Sequence, residues 1–92
     1  MSGPMTGIPE FNFPAFNAAA EALRAEGYDV VNPADTGLVD GWDWGDYIRY
    51  DLRLLTECDA VYTLPGWEAS RGANLEMHVA RALGLKWVNE GE

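Results

Sequence analysis

The sequence predicts a parallel α/β domain. Three observations carry the prediction: helical and strand-like stretches alternate along 92 residues, the strand-like runs are short and apolar, and turn residues separate them. Such alternation packs helices against a parallel sheet, and the ligands of such sheets sit at the carboxyl ends of the strands. The length makes a single domain, residues 1–92. It is near the lower end of what buries a core without disulfides or metal, so assembly into a homo-oligomer is expected.

The chain opens on Ser2-Gly3-Pro4-Met5-Thr6-Gly7, a turn-rich segment. Its two glycines are free to take positive φ, and it has little side-chain bulk to keep a ligand off the backbone. A frayed terminus is the alternative. From Pro14 to Glu26 the pattern is helical: proline suits a first turn, and Phe16, Ala19, Ala20 and Leu23 share one face. Gly27 caps it. Tyr28 to Val31 is a β-type run stopped by Asn32-Pro33, which predicts a strand. The next segment holds glycines, acids and Gly41-Trp42-Asp43-Trp44-Gly45, and reads as a loop. A second helix is expected from about Trp44 to Glu57. Ile48, Leu52 and Leu55 form its apolar stripe and Tyr47, Asp51, Leu54 and Cys58 the adjacent row, which places Asp51 at the edge of the buried face. Asp59 to Leu64 is the strongest strand. The loop from Pro65 to Ala69 carries Trp67, a third helix runs from about Ser70 to Leu83, and Leu85 to Asn89 after Gly84 is a last strand.

Composition narrows the functional classes. The chain is 48% hydrophobic with four Trp, four Tyr and three Phe, too apolar and aromatic for a disordered segment. Six basic against fifteen acidic residues give a formal charge of −9, which opposes nucleic-acid polymers and anionic membranes as partners. One small phosphate is not opposed, because a helix N-terminus and an arginine bind it locally. Cys58 is the one cysteine, and with one histidine it cannot build a Cys/His zinc cluster. No metal and no cofactor is therefore expected. No stretch resembles a signal peptide or approaches the roughly 20 apolar residues of a membrane span, so the expected compartment is cytoplasmic.

The chemistry concentrates at Ser70-Arg71-Gly72-Ala73-Asn74-Leu75-Glu76. With Ser70 as N-cap, its hydroxyl and the first free amides converge on one spot, with the positive end of the helix dipole behind them. Arg71 adds charge, and Gly72 lets a ligand approach the backbone. A plain helix cap fits the same residues. Glu76 shares a face with Val79, Ala80 and Leu83, where a carboxylate is either partly buried at a cost or kept for a purpose. Asp51 has an ordinary alternative too, as a solvated acid paired with Arg49 or Arg53. Two carboxylates flanking a sugar can run glycosidic chemistry, one attacking the anomeric carbon and the other handling the leaving group. Trp67, Trp42 or Trp44 can stack a flat base, or serve as core or oligomer contacts. His78 has no partner pattern and reads as surface or interface.

The segments Ser2-Gly3-Pro4-Met5-Thr6-Gly7, Asp51-Leu52 with Leu55 and Cys58-Asp59-Ala60-Val61, and Ser70-Arg71-Gly72 with Glu76 together resemble the nucleoside 2-deoxyribosyltransferase superfamily. That superfamily includes deoxynucleoside 5′-monophosphate N-glycosidases, and the resemblance is especially to a small phage and bacterial branch. The resemblance implies a small flavodoxin-like or Rossmann-like three-layer α/β domain with a parallel sheet. It implies Glu76 as the nucleophile of a glycosyl-enzyme intermediate, with Asp51 beside sugar and base. Ser70 and the glycine-rich loop of Ser2, Gly3, Pro4, Met5, Thr6 and Gly7 would contact the 5′ end of the substrate. With Trp67, Arg71 and Gly72 these complete the expected binding set. Members of the superfamily are usually dimers or larger. The family pattern begins with a strand that ends in an aromatic residue, whereas Met1 here stands directly before Ser2. The first strand is thus expected to be shortened or missing, together with a supporting tyrosine. Thr6 stands where phosphate-using members tend to carry a basic residue. The expected function is an N-glycosidase or deoxyribosyltransferase acting on a small-molecule nucleoside or nucleotide. The alternative is a sensor or sequestering protein that binds such a molecule without turning it over.

Overall fold

The structure, a computed structural model, describes residues 1–90. Three α-helices and two parallel strands make a mixed α/β domain. In chain order these are α1 (Phe13–Ala25), α2 (Trp44–Leu55), β1 (Ala60–Thr63), α3 (Arg71–Ala82) and β2 (Lys86–Asn89). A 3-10 turn at Pro9–Asn12 precedes α1, and two more, at Pro33–Asp35 and Trp67–Ala69, precede α2 and α3. No helix among the described residues is long and apolar enough to cross a membrane.

Local chemistry explains the boundaries. Pro14 sits in the first turn of α1, where a missing N–H goes unnoticed, and Gly27 beyond its end takes φ 96°, which suits glycine. Helix α2 starts on a reciprocal box: Asp43 accepts from the Asp46 N–H and Asp46 from the Asp43 N–H, each at 3.0 Å. Ser70 caps α3 by accepting from the Ala73 N–H at 3.2 Å, as its position before the helical pattern implies. The side-chain amide of Asn74 donates to the carbonyls of Glu68 (2.8 Å) and Ser70 (2.7 Å), which fastens the preceding turn to the helix.

β1 and β2 pair in parallel with Val61 opposite Trp87 and Thr63 opposite Asn89. Alternation along β1 separates two cores. Val61 joins Leu55, Trp67, Ala73, Met77 and Ala80 beneath α2 and α3, whereas Tyr62 and Leu64 pack with Phe16 and Ala19 of α1. On the other edge of β1 a single residue pairs: the Ser2 N–H donates to the Tyr62 carbonyl and the Leu64 N–H to the Ser2 carbonyl, both at 2.8 Å. The opening segment thus joins the sheet through one bridging residue.

Two expectations need correction. Tyr28 to Val31 forms no strand. Its neighbour across the sheet would be the opening segment, which reaches it through one bond from the Met1 amino group to the Val31 carbonyl at 3.2 Å. A β-type composition without a ladder partner leaves an extended loop. Leu83, placed by periodicity on the buried face of α3, is 52% exposed because the helix ends at Ala82 and the buried row is Ala73, Glu76, Met77 and Ala80.

Candidate active site

The amino-terminal ends of α2 and α3, the opening segment and the loop before α2 enclose a cavity of about 840 Å³, in the range that takes a small organic ligand. Ser2, Gly3, Pro4, Met5 and Thr6 line one side, and Ser70, Arg71, Gly72 and Glu76 another. Asp51 projects from α2. The segments picked out by sequence thus line one cavity. Gly7 and Trp67 do not line this cavity. Trp67 is 8% exposed within the α2–α3 core, edge-on to Trp87 with ring centroids 5.7 Å apart, so its expected role in binding gives way to packing.

Glu76 occupies the buried row of α3 with 8% of its surface exposed. Its Oε1 accepts a 2.9 Å hydrogen bond from the Ser2 hydroxyl, across 74 positions of sequence. Burial first, and the negative charge of Asp51 second, push the Glu76 carboxyl up to about 7, against the opposing pull of the Ser2 hydrogen bond and the amino-terminal ammonium. Burial also pushes Asp51 up, to about 6, against the opposing pull of the amino-terminal ammonium. Neither acid has a salt bridge. The one ion pair within reach among the described residues joins Arg24 to Asp35 on the surface, so Asp51 is not the partner of Arg49 or Arg53.

Arg71 lies over the Trp44 ring, 3.7 Å from its centroid, within the range of a cation–π contact. A Cβ at Gly72 would stand 3.4 Å from the Ile48 Cδ1, so α2 and α3 come close at their amino ends. Much of the remaining wall, Ile8, Phe11, Phe13, Phe16, Leu38 and Tyr47, carries no local sequence mark of a site. The one usable signal is the aromatic density of the loop before α2. Trp42, a candidate for stacking a base, lines the cavity and contacts the rings of Tyr47 and Tyr50 at 5.1 and 5.6 Å.

The Tyr47 hydroxyl accepts from the Val39 N–H (2.8 Å) and donates to the Val39 carbonyl (3.3 Å), holding this loop against α2. Tyr47→Phe is expected to lower stability by about 1 kcal/mol in thermal melts, the usual worth of such bonding. It should loosen the loop wall that carries Leu38 and Trp42 without moving either carboxylate.

Fold and site together define a small α/β protein with two carboxyl groups on the wall of a largely apolar cavity. The chain belongs to the family described as a domain of unknown function, DUF4406, which matches residues 1–89. No curated protein and no solved structure matches it.

Proposed function

We propose that the protein cleaves or exchanges the N-glycosidic bond of a nucleoside, a deoxynucleoside or its 5′-monophosphate. The observation that carries this reading is Glu76: a buried carboxylate held by Ser2, facing the same cavity as Asp51. In the proposed reaction an oxygen of Glu76 attacks the anomeric carbon and the bond to the base breaks, its electron pair leaving with the base. Asp51 supplies the proton that the departing base takes up. Water or a second base then displaces Glu76 from the glycosyl-enzyme, and Asp51 regains its proton. The amino end of α3 faces the sugar's 5′ side, and Trp42 and Trp44 offer faces to the base. In support of the finer fold reading, flavodoxin-like, the lateral order is Val31, Ser2, β1, β2. This sequence of segments resembles the 2-1-3-4 strand order of that fold, whose ligands sit at the switch point.

The test is incubation with deoxynucleosides, ribonucleosides and their 5′-monophosphates, with chromatographic detection of free base. Release is expected. No release from any of them would sink the reading, and tight binding without release would mark a binding protein instead. The active pair needs Glu76 ionised and Asp51 protonated, which reverses the order of their midpoints, about 7 and about 6, so the active form is a minor fraction of the singly protonated pair, which is itself most populated between those values. The profile of kcat/KM is therefore expected to be a bell centred between those values. An acid limb set by ordinary carboxylates near pH 4 would contradict the assignment.

A further inference from the structure

We infer that Ser2 is a positioning residue for Glu76, its hydroxyl fixing one carboxylate oxygen so that the other is presented to the cavity, and not a substrate contact. The inference rests on the reading of Glu76 as the nucleophile. Ser2 has three polar groups and each is committed. Its N–H and carbonyl bridge to Tyr62 and Leu64 of the β1 segment at 2.8 Å, and its hydroxyl donates to the Glu76 Oε1 at 2.9 Å. The residue is 1% exposed, and its N–H and O–H are both spent within the protein, so it has no donor to offer a ligand. The next residue is held as firmly, because a Cβ on Gly3 would come within 2.8 Å of the Leu64 Cβ. Backbone pairing and close packing therefore hold the donor rigidly against β1. The acceptor rides on α3, whose neighbours Ala73, Met77 and Ala80 are each 1% exposed. Such fixing of a nucleophile's supporting shell is what holds it in an attacking geometry.

The bond also bears on charge. A hydroxyl that donates to a carboxylate favours its ionised form. It opposes the burial of Glu76 and the repulsion from Asp51 on α2. The other charged groups nearby are the Met1 amino group and, in the first turn of α3 and stacked on Trp44, Arg71. All of these remain when Ser2 is changed, so an altered Glu76 midpoint reports the lost hydroxyl.

The test is Ser2→Ala in the full chain, with the Glu76 side-chain carboxyl followed by carbon NMR across pH, and kcat and KM measured on whichever substrate the wild type turns over. Removing the donor is expected to raise the Glu76 midpoint by about one pH unit. It should lower kcat by roughly tenfold to a hundredfold with KM nearly unchanged, the signature of a misplaced nucleophile. Ser2→Cys, which keeps the shape and weakens the donor, should fall between, and it gives the same reading if the alanine variant does not fold. An unmoved Glu76 midpoint in these variants, or a rise in KM alone, overturns the inference. A shifted midpoint in a protein that releases no base would leave the coupling of Ser2 to Glu76 standing and count against the glycosidase reading alone.

Discussion

Glu76→Gln is expected to abolish base release while raising the melting temperature at pH 8. Loss of activity follows from the proposed role: an amide cannot act as the attacking carboxylate, and a fall on the order of a thousandfold or more in kcat is the usual result of removing such a group. The gain in stability follows from linkage. The Glu76 carboxyl titrates at about 7 in the folded chain, above the 4.5 of an ordinary glutamate. Between those values the folded state binds more protons than the unfolded one. Stability from this group is therefore fully present below the ordinary value, falls as pH rises toward about 7, and is lost above it. The ionised, buried form thus costs the fold about 3 kcal/mol at pH 8, at 1.36 kcal/mol per pH unit. Asp51 acts in the same direction, with a smaller effect because it is more open to solvent screening. Glutamine keeps an acceptor for the Ser2 hydroxyl without the charge, so the variant should gain about 1–3 kcal/mol at pH 8 and almost nothing at pH 4. Paired thermal melts at the two pH values measure this. A variant that loses stability at pH 8 would show Glu76 to be a structural ion and would remove the reason for reading it as a stored reactant.

How much was legible in the sequence depends on how locally each feature is determined. The helices could be read because their evidence is periodic and near in sequence: Phe16, Ala19 and Ala20 are buried on α1 as their spacing implies. Glu76 could be read for the same reason, as an acid on a core-facing row. The strand at Tyr28 to Val31 could not, because pairing belongs to two segments and composition reports only one of them. The tryptophans illustrate the same limit. Trp67 and Trp44 are identical residues, each at the start of a helical turn, yet one fills the core and the other underlies Arg71 on the cavity wall. Nothing local separates them. Ser2 was visible as part of a glycine turn, but its bond to Glu76 spans 74 positions and has no sequence signature.

Gly3→Ala is expected to damage the site from a position that touches neither carboxylate. An added Cβ would meet the Leu64 Cβ at 2.8 Å, with Cδ1 and Cγ at 3.1 and 3.3 Å. The two outer atoms can move with a rotamer change, but the Leu64 Cβ is fixed by a backbone that accepts no slack: Leu64 is 1% exposed in the α1 core and donates its N–H to Ser2. Even Leu64→Ala, which retains that Cβ, should not relieve the clash. The opening segment must then lift from β1, which weakens the Ser2 bridge and draws the hydroxyl away from Glu76. Overpacking of this kind costs about 1–3 kcal/mol. Displacing a supporting donor should lower kcat by about tenfold or more. Gly27→Ala supplies the contrast: at φ 96° with nothing within 4 Å, it strains the end of α1 alone. That variant should lose on the order of 1 kcal/mol with kcat unchanged. Thermal melts and steady-state kinetics on both variants decide the matter. If Gly3→Ala proves no more harmful to kcat than Gly27→Ala, the close contact with Leu64 is not what holds Ser2 against Glu76.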